Sequence, residues 1–435
     1  MQYVIHRGRD EIGGMCIEVS AADGTRVLLD LGMPLYDANR ADYPFGTPQR
    51  PTAELLDEGV LCDFPGLYAS DPAAPGYAAI IVTHSHLDHY GLAHHAHSAI
   101  PVYASRGTLA IFEVSTIFFP DAALPADARV LPDGESLRFG ALTVSGIPVD
   151  HSAPDARALL VEADGQKLIY SGDLRAHGRT DFRFEKLLAD PRLRGADWLL
   201  LEGTTLGAGG DSHGLHSEPE VEEALVGLAS GAPDKAVVVV ASGQNLDRLV
   251  SCYRAAKRTG RKLVVDPYQA FVLRKLAPLS PDIPQFTWDD VRVSFTHHQV
   301  EKLKAAGLVE LAHEMGRAAR VGTYALGAHP GSYLLNARGS WRTTQLLNRI
   351  GAANAELVWS MWGGYWNRDD CAVRSWAERE AVEAHFIHSG GHAWPDDLER
   401  LTTALQPRLV EIVHTAKDER ATSGGLGTSG GRGET

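Results

Sequence analysis

The run IIVTHSHLDHYGL, residues 80–92, brings three imidazoles and a carboxylate together between His84 and His89. An apolar strand expected over Ala79–Val82 delivers His84 and His86 to one side, because residues two apart in an extended chain share a face. Asp88 and His89 then open a helix, with Asp88 near its start. Imidazole nitrogen and carboxylate oxygen are donors that suit zinc. Alternating donors in so short a span can serve two metals. The histidines continue, so that six of the 19 in the chain fall between His84 and His97. His94, His95 and His97 lie one to two turns along the expected helix and read as surface or packing residues.

Such chemistry needs a rigid frame, and composition bounds what that frame can be. The chain has 435 residues, 44% apolar and 22% charged, which fits a globular protein of two or three domains. No apolar run approaches the roughly 18 residues of a spanning helix. The N-terminal MQYVIHRGRDEIGG has no apolar core of a secretory signal. Cys16, Cys62, Cys252 and Cys371 form no CxxC pair, which argues against a disulfide framework or a cysteine zinc site and for a reducing cytoplasm. The net charge of −14 excludes nonspecific nucleic-acid binding over the whole surface. It leaves room for a local basic groove, or for metal ions that carry the positive charge.

Short β-rich runs alternate with helical stretches, the pattern of an α/β protein. Strands are expected at Val27–Asp30, Val102–Ala104 and Trp198–Leu201, the last ending at Glu202. Ala158–Glu162 and Lys167–Tyr170 read as a hairpin turned by Asp164-Gly165. A unit of its own runs from about Gly207 to Met361. It opens with GAGGDSHG, then gives helix Glu218–Ala229, strand Ala236–Ala241, helix Asn245–Arg258, strand Lys262–Asp266 and helix Tyr268–Leu276. Strands Val291–Phe295 and Glu356–Trp359 complete a doubly wound, parallel pattern. A strand–turn–helix–strand run follows from Ala384 to His414, with its helix at Asp396–Leu405. The tail SGGLGTSGGRGET is expected to be disordered.

HxHxDH after an apolar strand resembles the signature of metallo-β-lactamase-fold hydrolases. The resemblance implies further residues in a fixed order, and suitable ones arrive in that order: Asp30 in VLLDLG, His151 in IPVDHSAPDA, Asp173 in LIYSGDLRAHGR and His414 in PRLVEIVHT. By that resemblance His84, His86 and His151 hold one zinc, Asp88, His89 and His414 hold the other, and Asp173 bridges them. Asp30 is the structural aspartate. The implied cofactor is two Zn(2+) per chain, and the donors also admit manganese or iron. Two such metals activate a bridging water and clamp an electrophile beside it.

The inserted unit, Glu202 in LLLEGTTLG and His392 in HSGGHA together resemble the β-CASP nucleases, the ribonuclease J-like members most closely. The resemblance implies an α/β fold, a metallo-β-lactamase αββα sandwich with an inserted doubly wound α/β β-CASP domain. Residues 1–206 and 373–420 form the sandwich, 207–372 the insertion and 421–435 a disordered tail. It also places Glu202, His392 and His414 at the family's motifs A, B and C. The catalytic set is then Asp88, Asp173, Glu202 and His392. For phosphodiester hydrolysis a histidine can protonate the leaving oxygen or clamp the phosphate, and a carboxylate can orient it. His392 and Glu202 are expected in those roles. His388, Ser389, Gly390 and Gly391 are candidate contacts to substrate phosphate. The family's serine before Gly-His is Gly390 here, with Ser389 displaced by one. Ribonuclease J-like chains usually carry a further C-terminal domain used in dimerisation, and this sequence stops soon after His414, so the resemblance leaves open the oligomeric state, a homo-oligomer included, and 5′-exonuclease activity.

Several other residues have two readings. Arg175, His177 and Arg179 are phosphate contacts or solvated loop charges. Lys257, Arg258, Arg261 and Lys262 read as a solvated helix end. Trp359, Trp362, Tyr365 and Trp366 stack on bases or pack internally, and packing is favoured. The expected function is hydrolysis of phosphodiester bonds in nucleic acid by a zinc-activated water, in single-stranded RNA rather than DNA, in the cytoplasm and off the membrane. The alternatives are a metallo-hydrolase of a small phosphodiester, ester or thioester, and a non-catalytic nucleic-acid-binding subunit. The full ligand set argues against the last.

Overall fold

The computed structural model describes residues 1–37, 41–207 and 214–416. The expected tail and most of GAGGDSHG lie outside the described residues.

Alternation of apolar side chains sets the layering. In strand Arg26–Leu29, Val27 and Leu29 enter one buried cluster and Leu28 another, as a period of two requires. This strand is third in a six-stranded sheet ordered Gln2–Arg7, Cys16–Ser20, Arg26–Leu29, Ala79–Ile81, Val102–Ala104 and Ala128–Val130. A second six-stranded sheet is ordered Leu409–Val413, Trp198–Glu202, Gln166–Tyr170, Arg157–Ala163, Leu142–Pro148 and Ser136–Phe139. The two sheets pack face to face through Ile17, Val27, Ile81, Leu159, Leu200 and Val413. On the outer faces, Leu28, Ile80 and Val102 pack with Phe112, while Leu199 and Leu201 pack with Phe184, Leu398 and Leu401. Helices thus cover both sheets, which makes the αββα sandwich of the metallo-β-lactamase fold.

The hairpin follows from its turn. Arg157–Ala163 and Gln166–Tyr170 pair with Ala163 opposite Gln166. Asp164 and Gly165, with φ of +54° and +71°, supply the two positive φ values that such a turn demands.

A third sheet holds six parallel strands in the order Val291–Val293, Lys262–Val265, Tyr333–Ala337, Ala236–Val240, Ala355–Trp359 and Ala384–Phe386. Both faces are covered: Val237 and Val239 join one cluster, Val238 and Val240 the other. This is why Ala236–Val240 reads as an unbroken apolar run. Strand Ala384–Phe386 pairs with Ala355–Trp359, so the third sheet extends past the expected boundary at 372/373. Helix Arg106–Phe118 serves two bodies at once. Phe112 packs on the first sheet, while Ile111, Val114 and Phe118 pack with Tyr268 and Phe271 of the third-sheet unit.

The helix expected through His94–His97 is one turn long, Leu87–Tyr90. Gly91 N closes the turn on Leu87 O at 2.7 Å, and tertiary donors also reach its carbonyls. Met33 N donates to Leu87 O at 2.9 Å, Met15 N to Asp88 O at 3.0 Å and Leu31 N to His89 O at 2.9 Å. Only glycine fits at Gly32, where a Cβ would collide with the Asp88 carbonyl. His94 and His95 sit in a short 3-10 turn, each with Nε2 2.8 Å from Pro48 O, so their reading as packing residues holds while the helix does not.

No helix among the described residues is long and apolar enough to cross a membrane. Leu200 is wholly buried at the centre of the sandwich. Leu200→Ala is expected to cost about 2–5 kcal/mol of unfolding free energy, read as a lower urea midpoint. An unchanged midpoint would contradict this packing.

Candidate metal centre

The chemistry-bearing residues follow strands that end at one edge of the sandwich. Asp30 follows Arg26–Leu29, His84 follows Ala79–Ile81, and Asp173 follows Gln166–Tyr170. Glu202 ends Trp198–Glu202 and His414 follows Leu409–Val413. Side chains from several strands therefore converge outside the carboxyl ends, where open α/β sheets bind ligands.

Three groups of ligating atoms result, each within 4.8 Å: His84, His86, His151 and Asp173; Asp88, His89 and His414; and Asp173, Glu202, His392 and His414. Asp173 Oδ2 lies 3.6 Å from His84 Nε2, 3.3 Å from His89 Nε2 and 4.0 Å from His151 Nε2. His86 Nδ1 is 3.2 Å from His151 Nε2, and His414 Nε2 is 3.2 Å from Asp88 Oδ2. The structure therefore brings together every residue expected to hold metal.

The surrounding hydrogen bonds orient the rings. Thr83 Oγ1 donates its one proton to Asp30, so His84 Nδ1, 3.1 Å away, is the donor to that oxygen. His89 Nδ1 donates to Asp30 Oδ2 at 2.8 Å, and His151 Nδ1 to the Gly391 carbonyl at 2.6 Å. With each Nδ1 occupied, each Nε2 faces its neighbours. The buried atoms His84 Nε2, His89 Nε2 and Asp173 Oδ1 have no hydrogen-bond partner among the described residues. Buried polar atoms are rarely left so, and nitrogen and carboxylate donors at these spacings fit divalent metal ions.

Electrostatics point the same way. Burial holds His84 and His151 well below the ordinary imidazole value, with neighbouring imidazoles adding to the effect, and brings His86 down to about 4. Burial would also lower His89, but the carboxylates of Asp173, Asp30 and Asp88 outweigh it and hold that ring well above its usual value. The centre is short of positive charge, which cations would complete.

Glu202 is buried, not a surface acid at a strand end. Its Oε1 accepts from Leu174 N at 3.2 Å, and its Oε2 lies 3.1 Å from His392 Nδ1. Burial lowers His392, yet Glu202 and Asp173 push it up to about 9 in the metal-free protein. His392, Gly390 and Gly391 line a cavity of about 1760 Å³ that also reaches Asp88, Asp173 and His414. The cavity lies between the sandwich and the third-sheet unit, where His388 also lines it. Ser389 is wholly buried and is absent from that lining, so the expected phosphate contact there is not supported.

Arg175, His177 and Arg179 are neither phosphate contacts nor solvated charges. Arg175 is wholly buried against Asp150, Asp247 and Glu218. His177 Nε2 donates to Gly390 O at 3.1 Å, and Arg179 pairs with Glu222 at 2.6 Å. Arg261 is also buried, donating to the carbonyls of Ala229 and Ala232 at 2.8 and 2.7 Å, rather than solvated at a helix end. The aromatic cluster splits. Trp359 is core and stacks edge-on with Trp366, whereas Trp362 and Tyr365, 38% and 39% exposed, line the cavity. Sequence reasoning missed Thr83, Asp150 and Thr204. Thr204 Oγ1 sits 2.8 Å from His414 Nδ1. The available signal was adjacency: Thr83 precedes His84, and Asp150 precedes His151.

A model of the beta-lactamase superfamily domain matches residues 63–239. The chain is similar to ribonuclease J of Sinorhizobium meliloti, 26% identical over 56% of this chain and 45% of that one. Ribonuclease J of Mycobacterium tuberculosis is 30% identical over 42% of this chain and 33% of its own length. Ribonuclease TTHA0252 of Thermus thermophilus is 32% identical over 37% and 43%. The matches thus span less than half the length of these relatives. A crystal structure of a protein of unknown function from Enterococcus faecalis superposes with a TM-score of 0.73 at 18% identity, covering 95% of this chain and 93% of that one. The chain has the metallo-β-lactamase fold and is ribonuclease J-like in sequence.

Asp30 orients His89 without reaching the cavity. Asp30→Asn replaces one accepting oxygen with a donor, and loss of such an outer contact weakens metal binding by about 10–100-fold. Elemental analysis after gel filtration is expected to show less metal in D30N than in the wild type. Chelator-treated wild type is expected to melt below the metal-loaded protein. Equal metal content in D30N would contradict the role of Asp30.

Proposed function

We propose that the chain is a two-metal phosphodiesterase of the β-CASP nuclease type, acting on single-stranded RNA. The observation that carries this reading is the cavity. At about 1760 Å³ it exceeds the roughly 300–1,000 Å³ of small-molecule sites. On the third-sheet side its lining includes Lys302, Arg338, Arg342 and the half-exposed Trp341, and on the sandwich side Asp10, Glu11 and Asp37 besides the metal-ligand candidates. Cations and an aromatic face in the same cavity as a candidate metal centre suit a polyanionic strand. The chain's similarity to ribonucleases favours RNA over DNA.

His84, His86 and His151 would hold one metal and Asp88, His89 and His414 the other, with Asp173 shared. Such a pair supplies an acidified water and neutralises charge on the phosphoryl oxygens. The chain's own groups do the rest. Glu202 accepts the Nδ1 proton of His392, which fixes the ring and directs Nε2 away from that carboxylate. Protonated at Nε2, His392 donates to a phosphoryl oxygen or to the leaving oxygen. Glu202 balances the ring's charge and is itself steadied by the amides of Leu174 and Ala393. The absence of any disulfide among Cys16, Cys62, Cys252 and Cys371 suits a reducing, cytoplasmic setting.

The test is cleavage of 5′-labelled single-stranded RNA and DNA by metal-loaded protein. RNA is expected to be cut, Asp173→Asn to abolish cutting, and His392→Ala to slow it by about 10²–10⁴-fold. Intact RNA with two metals bound per chain would contradict the proposal.

A further inference from the structure

The loop that carries His392 is held by its carbonyl groups, one after another. Ser389 O accepts from Arg248 Nη2 at 3.1 Å. Gly390 O accepts from Arg175 Nη1 at 3.0 Å and His177 Nε2 at 3.1 Å. Gly391 O accepts from His151 Nδ1 at 2.6 Å. The donors come from different places. His151 and Arg175 belong to the sandwich, whereas Arg248 lies on helix Leu246–Arg258 of the third-sheet unit.

Arg248 is wholly buried and uses every N–H it has. Nε and Nη2 meet Glu218 at 3.2 and 2.9 Å, and Nη1 meets Ser360 O at 2.8 Å and His388 Nδ1 at 3.3 Å. The residue before it, Asp247, receives Arg175 Nη2 at 2.5 Å. Arg175 in turn lies 3.5 Å from Asp150 and 3.7 Å from Glu218. Two guanidinium groups and three carboxylates thus form one cluster across the junction of the two bodies. Asp150 adjoins His151 in sequence, and Arg175 follows Asp173 by two. Breaking a buried ion pair by moving one partner away is costly, so the cluster ties the two bodies and the loop to one another.

We infer that Arg248 is a positioning residue. It couples the third-sheet unit to the metal centre by fixing the Ser389 carbonyl, and so sets where His392 meets the phosphodiester. The inference rests on the proposed role of His392. It assigns Arg248 no contact with substrate or metal. Misplacing a reacting group by about 1 Å costs on the order of 100-fold in rate. The loop's other hydrogen bonds to the third-sheet unit flank this stretch, with Leu215 N donating to His388 O at 2.6 Å and Trp394 Nε1 to His216 O at 3.5 Å.

Two variants test it. Arg248→Lys keeps the charge beside Glu218 but loses the fork that spans Ser360 and Ser389. Arg248→Met combined with Glu218→Met removes both members of the pair and leaves no orphaned carboxylate. Hydrogen exchange of the peptide spanning residues 388–393 is measured on metal-free protein, with metal content and cleavage kinetics measured after loading. Both variants are expected to bind as much metal as the wild type, and the peptide to exchange about tenfold faster. The kcat is expected to fall about 100-fold with KM little changed. Combined with His392→Ala, neither variant should lower kcat below that of His392→Ala alone, because the two changes act on one group. Unchanged exchange in both variants, or losses that multiply with His392→Ala, would overturn the inference. Wild type and His392→Ala acting equally on RNA would instead sink the proposed role of His392, and the exchange result would still decide whether Arg248 anchors the loop.

Discussion

One buried carboxylate ties the two sheets of the sandwich together beside the candidate metal centre. Asp30 is wholly buried, follows the third strand of the first sheet, and has a φ of +59°. It accepts from Thr83 N at 2.8 Å and Thr83 Oγ1 at 2.9 Å in its own sheet, and from Tyr170 OH at 2.8 Å in the facing one. His89 Nδ1 supplies another donor. A carboxylate taken out of water costs several kcal/mol unless its oxygens are satisfied. These partners satisfy it only when the segments bearing Thr83, His89 and Tyr170 are in place together. The same contacts fix His84 and His89, and Asp173 lies three residues beyond Tyr170.

A second constraint acts at the junction. The sandwich and the third-sheet unit meet through an apolar contact at one side, where helix Arg106–Phe118 packs on both. At the other side they meet through the cluster of Arg175, Arg248, Asp150, Asp247 and Glu218. Burial raises Glu218, but Arg248 and Arg175 outweigh it and hold the carboxyl down to about 2. That carboxylate therefore stays charged across the working pH range. The cavity is lined by metal-ligand candidates, by the cations Lys302, Arg338 and Arg342, by aromatic rings and by the acids Asp10, Glu11 and Asp37. The division of labour is physical: apolar packing sets the bodies side by side, and the directional ion cluster fixes how they are turned.

Much of this was legible in the sequence because it rests on local rules. Type and spacing in THSHLDH announced a ligand cluster, the alternation in Arg26–Leu29 gave a two-faced strand, and Asp164-Gly165 gave a turn. What stayed hidden depends on long-range partners. The loop charges Arg175, His177 and Arg179 look solvated until Asp150, Asp247 and Gly390 are folded against them. The helix after Asp88 looks longer than one turn until residues 15, 31 and 33 claim its carbonyls. Strand Tyr333–Ala337 comes late in the sequence but sits inside the third sheet, between Lys262–Val265 and Ala236–Val240. Its five residues carry no periodicity of their own to announce it. Ser389 stands one residue from the family's serine position, and here it is wholly buried and outside the cavity lining.

The central claim is that this edge of the sandwich is a two-metal centre shared by Asp173. The direct measurement is anomalous diffraction at the zinc edge from crystals of the zinc-loaded protein. Two peaks are predicted, one among His84, His86 and His151 and one among Asp88, His89 and His414, each within bonding distance of Asp173. A single peak, or none at Asp173 in fully loaded protein, would contradict the account.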